Sequence, residues 1–393
     1  MTRQAGKLQG ARVSLALLTL AMSGLLAACT GAIQSAPSAT ASPGGSVATA
    51  PSPSVKPPLT GLLDMGVQNS YHFDVPFPTV DPSVLTPYAG AFGGIVVNEN
   101  WMQLEPAPGK EVWTDLDASL AAVGQWNASH PTTPLGVKLR IFGGFAAPSW
   151  AKSLGGAPVT IVTKGVSRTY GRWWTGAYRA AWSDFQHALA AHYDSNPLVR
   201  AVSVGSCATL TGEPFVTNLS PPAVAVMEAA GWTPQAQQDC LEGALSDYSG
   251  WRHTQVTFAF NPYRTIVNGH AVLDQAETDK VMTSCADSRR TGGPDCVLGN
   301  NALSDAATTG GPAAIYSQID SLWQSTPGHV SAYFQTVGAG VDCTAIDIAI
   351  SHHASAVELW PPDREYQGFA AVPLADLTAW NSALDAGRPL TCS

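Results

Sequence analysis

Charge is scarce in this chain: Asp, Glu, Lys and Arg make up 12% of 393 residues, and the net charge is -9. Beyond the first residues no dense basic cluster occurs, which excludes nucleic acid as a partner because a phosphate backbone needs a cationic surface. The cysteines never show Cys-x-x-Cys spacing, so structural zinc is not expected and no metal site is assigned. No Gly-x-Gly-x-x-Gly turn follows the first internal apolar run, which argues against a dinucleotide site. No Gly-x-Ser-x-Gly elbow is present either, leaving a serine hydrolase without its nucleophile turn. No cofactor is expected. Long hydrophobic runs are missing too: the apolar stretch at residues 13–26 falls short of the roughly 20 residues that span a bilayer.

What is there begins with an export signal. A basic start (Arg3, Lys7, Arg12) precedes that apolar stretch, which ends in Leu26-Ala27-Ala28-Cys29. The ending resembles the bacterial lipobox, and the resemblance implies cleavage before Cys29, a diacylglyceryl thioether on its sulfur and acylation of the new amino group. An ordinary signal peptide with a chance cysteine is the alternative. More than one acyl chain on a residue gives stable anchoring, so the expected location is the extracytoplasmic face of a membrane. Residues 30–58 are mostly Ser, Ala, Pro, Thr and Gly, too poor in large apolar groups to bury a core, and read as a flexible tether. The expected organisation is a lipoprotein signal peptide at 1–28, a tether at 29–58 and one domain at 59–393.

Six cysteines lie in that domain: Cys207, Cys240, Cys285, Cys296, Cys343 and Cys392. An even count in an exported chain points to disulfides, for which sequence alone leaves 15 pairings. Pairing in chain order is the expectation, since Cys285 and Cys296 flank a tight SRRTGGPD loop.

Eight short apolar runs recur: LLDMGV from Leu62, GIVV from Gly94, VKLRIF from Val137, VRAVSV from Val199, QVTFAF from Gln255, CVL from Cys296, VSAYF from Val330 and AVEL from Ala356. Between most of them lie segments where apolar residues return every three or four positions, such as WTDLDASLAAVGQW (113–126) and AYRAAWSDFQHALAAHY (177–193). Runs buried on both faces and separated by helices are what a parallel sheet requires. Eight such units, closed by a last helix over 373–387, predict an α/β fold: a (β/α)8 TIM barrel following the signal peptide and disordered linker. An open doubly wound sheet is the alternative.

In such a barrel the functional residues sit just beyond the strands' C-terminal ends. Those positions hold Asn98 and Trp101 after the second run, Trp150 after the third, Glu213 after the fourth, Asn261 after the fifth, Asn300 after the sixth, Gln335 after the seventh, and Glu358 with Trp360 at the eighth. Indoles stack on the apolar faces of a pyranose, and amides and carboxylates bind its hydroxyls; Arg140 joins this sugar-contacting set. Cleaving a glycosidic bond needs two carboxyl groups, one protonating the leaving oxygen and one acting as nucleophile or base. Glu213 and Glu358 are the candidates.

The stretch NENWMQLEPAPGKEVWTDLD (98–117) resembles the second βα unit of clan A glycoside hydrolases, particularly the β-galactosidase-like ones, and GVKLRIFGGFAAPSW (136–150) is similar to their third strand and its Pro-x-Trp turn. The resemblance covers residues 93–215. It implies a barrel hydrolase, with Glu213 as acid/base on the fourth strand. Two departures stand out: Gly212 precedes Glu213 where that clan has Asn, and the seventh run ends at Gln335 where the clan has its nucleophile. The expected activity is therefore hydrolysis of an extracytoplasmic glycan by Glu213 and Glu358; the alternative is a noncatalytic carbohydrate-binding lipoprotein on a degenerate hydrolase barrel.

Each candidate also has a plain structural reading. Glu213 could be a solvated loop residue. Glu358, between Val357 and Leu359, is costly to bury unless paired, and Arg140 could be its partner. Glu105 is expected to fix its loop, the tryptophans could be core residues, and His352 and His353 fall before the last strand, away from the mouth.

Overall fold

A computed structural model describes residues 56–66, 75–163, 166–207, 214–215, 219–309, 312–328, 330–337, 341–360 and 368–392. The signal peptide, Cys29 and nearly all of the tether lie outside these residues, as does Glu213. Residues 52–393 make one compact unit.

All eight apolar runs are strands, and they are all parallel. They are β1 (Gly61–Asp64), β2 (Gly94–Asn100), β3 (Gly136–Phe142), β4 (Val199–Ser203), β5 (Gln255–Ala259), β6 (Cys296–Leu303), β7 (Ala332–Thr336) and β8 (Ala354–Leu359). They close in the order β1-β8-β7-β6-β5-β4-β3-β2, so β1 pairs with both β2 and β8 and no barrel edge remains. This is the TIM barrel.

The outer layer is α1 (Thr114–Ser129), α2 (Gly176–Tyr193), α3 (Pro221–Ala229), α4 (Pro234–Gly243), α5 (Gln275–Asp287), α6 (Ala313–Ser325), α7 (Cys343–Ser351) and α8 (Leu374–Ala386). Helix starts follow local chemistry: the Thr233 and Asp342 side chains accept from Ala236 N and Ala345 N, capping α4 and α7. No helix among the described residues is long and apolar enough to cross a membrane. Three features depart from a plain alternation. The segment described between β1 and β2 carries a 3-10 helix, Pro82–Tyr88, with Pro87 inside it. Two hairpins are inserted on the mouth side, Val159–Thr163 with Val166–Tyr170 after β3 and Arg264–Val267 with His270–Leu273 after β5.

Strand alternation sorts the core into two parts. Leu62, Ile95, Val97, Leu139, Ile141, Phe258, Leu298, Phe334 and Val357 belong to the large buried cluster shared with the helices. Leu63, Ala201, Ala259, Val297, Tyr333 and Ala356 form a separate small cluster inside the barrel. Three disulfides tie the shell together: Cys207–Cys240, Cys285–Cys296 and Cys343–Cys392, which is pairing in chain order.

Candidate functional site

The site is built from β3 outward. In VKLRIF, Leu139 and Ile141 turn to the helices, so the alternation sends Lys138 and Arg140 into the barrel. Two cations inside a β-barrel need a counter-charge, and β8 supplies one. Glu358 is in register with Leu63 of β1 and Gln335 of β7. Lys138 Nζ donates to Glu358 Oε1 at 2.6 Å, and Arg140 Nη2 donates to Glu358 Oε2. Glu358 has 0% of its surface exposed and Lys138 1%. Burial works to raise the Glu358 pKa, but Arg140 and Lys138 overcome it and hold the carboxyl below the usual range. Lys138 responds in the opposite sense: burial, helped by the Arg140 charge and resisted by Glu358, pushes its pKa down to about 7.

The neighbours of this triad complete the barrel floor. Lys138 Nζ lies 3.4 Å from the centre of the Tyr333 ring, a cation–π contact. The ring fits because β6 has Gly299 beside it; a Cβ there would come within 2.1 Å of the ring edge. Asn98, opposite Arg140 in the β2–β3 register, donates from Nδ2 to Met65 O at 2.9 Å, with its Oδ1 3.5 Å from Arg140 Nη1.

Above the floor, the inward rows end in half-buried polar and aromatic side chains: Asn261 beyond β5, Asn301 on β6, Gln335 on β7 and Trp360 beyond β8. Trp360 Nε1 donates to Thr336 O at 2.7 Å, which fixes the indole at the rim. Among the described residues Glu358 is the only carboxylate in the inward rows.

Other expected site residues are placed elsewhere. Trp101 is a core residue rather than a cleft wall: it is 0% exposed, donates to Glu105 Oε2 at 2.8 Å and packs against Trp150, Tyr178, Trp182 and Phe185. Trp150, half-buried, donates to Glu105 O at 3.0 Å. Glu105 Oε1 accepts from Gly109 N at 2.9 Å, so this carboxylate ties down its own loop. Asn300 is also sealed, because it precedes the inward Asn301: its Nδ2 donates to Phe260 O at 2.8 Å and its Oδ1 accepts from Ala302 N at 2.9 Å. Glu358 has no solvent-facing oxygen with which to attack a sugar. His352 accompanies Asp320, with Nδ1 2.9 Å from Oδ1, where the chain enters β8.

Sequence reasoning passed over three buried groups. Lys138 had a signal, the Lys-x-Arg spacing within an apolar run. Glu99 faces outward from β2, where burial and then the charge of Asp115 push its pKa up to about 8; among the described residues Oε1 has no hydrogen-bond partner. Asp247 accepts from Ser206 Oγ at 2.6 Å just past β4, and Trp182 Nε1 donates to the same Oγ at 2.8 Å. Burial pushes Asp247 up to about 6. Next to it Cys207, bonded to Cys240, takes the left-handed φ of 61°. Among the described residues no group of His, Cys, Asp and Glu side chains could hold a metal ion.

Among the solved structures similar to this chain are glycosidases. They include an endo-glycoceramidase II from Rhodococcus sp. in complex with ganglioside GM3, at 18% identity over 82% of this chain and 79% of that one, TM-score 0.45. A β-glycosidase designated BGL167 matches at 12% identity over 86% and 98%, TM-score 0.48. A GH5-4 broad-specificity endoglucanase from an uncultured bacterium matches at 11% over 83% and 94%, TM-score 0.48. No family model matches the chain, and no curated protein does. The likeness is one of fold.

Proposed function

We propose that the mouth of this barrel is a carbohydrate site, and that the protein binds a glycan there without the two-glutamate hydrolysis of the enzymes its sequence resembles. The observation that carries this reading is the composition of the inward rows. On β5 to β8 they end in amides and an indole, and their one described carboxylate is sealed between Lys138 and Arg140. Amides bind sugar hydroxyls and an indole covers a sugar face, but a two-carboxylate mechanism needs both groups to flank the scissile bond. Gln335, at the end of the seventh strand, cannot attack an anomeric carbon. With a lipid on Cys29, the protein would hold its glycan on the extracytoplasmic side of a membrane.

A second reading, glycoside hydrolysis, is favoured by Glu213. In the sequence this carboxylate comes ten residues after Ser203, the last residue of β4, and the resemblance implies an acid/base following that strand. In that reading Glu213 is the general acid and Glu358 the nucleophile or base, which would have to leave its pairing with Lys138 and Arg140 to act. A panel of aryl glycosides and natural oligosaccharides separates the two. Binding without turnover by the parent protein, weakened in Trp360→Ala and Gln335→Ala, supports the first. Turnover abolished in Glu213→Gln establishes the second, and neither binding nor turnover on any sugar would remove both.

A further inference from the structure

The charge on the barrel floor does not balance. With Lys138 protonated, Lys138 and Arg140 contribute two positive charges and Glu358 answers with one negative; the excess lessens as Lys138 loses its proton about pH 7. The groups facing Lys138 are Glu358 from β8, Arg140 from its own strand and Tyr333 from β7. In a chain whose net charge is -9, this is a local positive excess held in a nearly water-free interior.

The geometry also leaves Arg140 underused. A guanidinium carries five N–H donors in a planar fork. Glu358 takes Nη2, and Asn98 Oδ1, at 3.5 Å, lies at the limit of a hydrogen bond to Nη1. No other hydrogen bond to Arg140 occurs among the described residues. Two residues above it on β3 lies the buried Phe142, stacked on Phe77. Across the barrel the row holds Ala259, whose methyl leaves room, and Gln335, whose half-buried amide has no hydrogen-bond partner among the described residues. The guanidinium edge that Glu358 and Asn98 leave over matches a planar carboxylate, which takes two parallel N–H donors from an arginine.

We propose that the glycan received at the mouth carries a carboxylate, as a uronic or sialic acid does, and that Arg140 binds that group. The proposal rests on the carbohydrate reading above and names its substrate class. Its second consequence is a pH dependence. An anion near Arg140 cancels the charge that helps hold Lys138 low, so binding draws a proton onto Lys138 and strengthens as the pH falls from 8 to 6.

The test is calorimetric titration of the full chain with oligogalacturonate, oligoglucuronate and sialyllactose, each beside its carboxyl-reduced counterpart, in which a neutral CH2OH replaces the acid at unchanged linkage. The expected result is at least tenfold tighter binding of one acidic sugar than of its reduced form. That preference should be lost in Arg140→Gln, weakened in Arg140→Lys, which keeps the charge but not the fork, and larger at pH 6 than at pH 8. Should Arg140→Gln fail to fold, the acid-to-reduced ratio and its pH profile on the parent protein decide alone. Equal binding of acidic and reduced sugars overturns this proposal and leaves the carbohydrate reading standing. Binding of no sugar in either form overturns both.

Discussion

Replacing Glu358 by Gln measures how the barrel floor is held. The change keeps the side chain's size and one acceptor oxygen, and removes the charge that faces Lys138 at 2.6 Å and Arg140 on the other side. Taking one partner from a buried pair costs about 3–5 kcal/mol, because an uncompensated charge stays behind. Here one carboxylate serves two cations, which argues for the upper part of that range. Lys138 can relieve some of the cost by shedding its proton. Burial has already brought its pKa to about 7, and Glu358 is the charge that keeps it from falling further. In the variant Lys138 should be neutral at pH 7, leaving Arg140 as the remaining bare charge. The expected loss is therefore about 4 kcal/mol in urea unfolding at pH 7. Adding Lys138→Met to the variant should change little more, since the lysine no longer carries charge there. A loss under about 1 kcal/mol, of the size seen for exposed ion pairs, would refute the closed triad.

Three further outcomes follow from other sites. Glu99 has a folded pKa raised from 4.5 to about 8, so between those values the folded state keeps a proton that the unfolded chain has released. Stability from this group falls as pH rises through that window. Glu99→Gln should then be more stable than the parent by on the order of 3 kcal/mol at pH 8.5, with the gap closing toward pH 4.5 in paired melts; a gap independent of pH contradicts the buried acid. Gly299→Ala, whose methyl would meet the Tyr333 ring at 2.1 Å, should cost about 1–3 kcal/mol by overpacking, read as a fall in Tm. Removing the Cys343–Cys392 bridge with a double serine variant opens a connection of 49 residues and should cost about 2–5 kcal/mol; an unchanged Tm would show the bridge is absent in solution.

The barrel was legible because its strands are buried on both faces: runs such as VKLRIF and QVTFAF read as apolar stretches with little dependence on context, and helical periodicity marked α1 and α2 between them. The two inserted hairpins were harder to see. The hairpin Arg264–Val267 with His270–Leu273 turns at Asn268-Gly269, both in left-handed conformation, a pair that signals a tight hairpin, yet its strands are short and half-exposed and lack an apolar rhythm. The site was less legible than the fold. Glu358 was singled out because a carboxylate between Val357 and Leu359 demands a partner, and the partner turned out to be two cations inside the barrel. Which face a residue takes is a matter of parity: Asn300 and Asn301 are neighbours, and only the second turns inward. Trp101 and Trp360 are the same residue type after two strands, and only tertiary packing separates core from rim.

The most direct test of the account is covalent labelling. An activated 2-deoxy-2-fluoro glycoside traps a glycosidase nucleophile as a glycosyl ester, so incubation with a panel of such reagents followed by intact-mass and peptide analysis asks which carboxylate can reach a sugar. The sealed triad predicts no adduct on Glu358. A glycosyl ester mapped to Glu358 would contradict it.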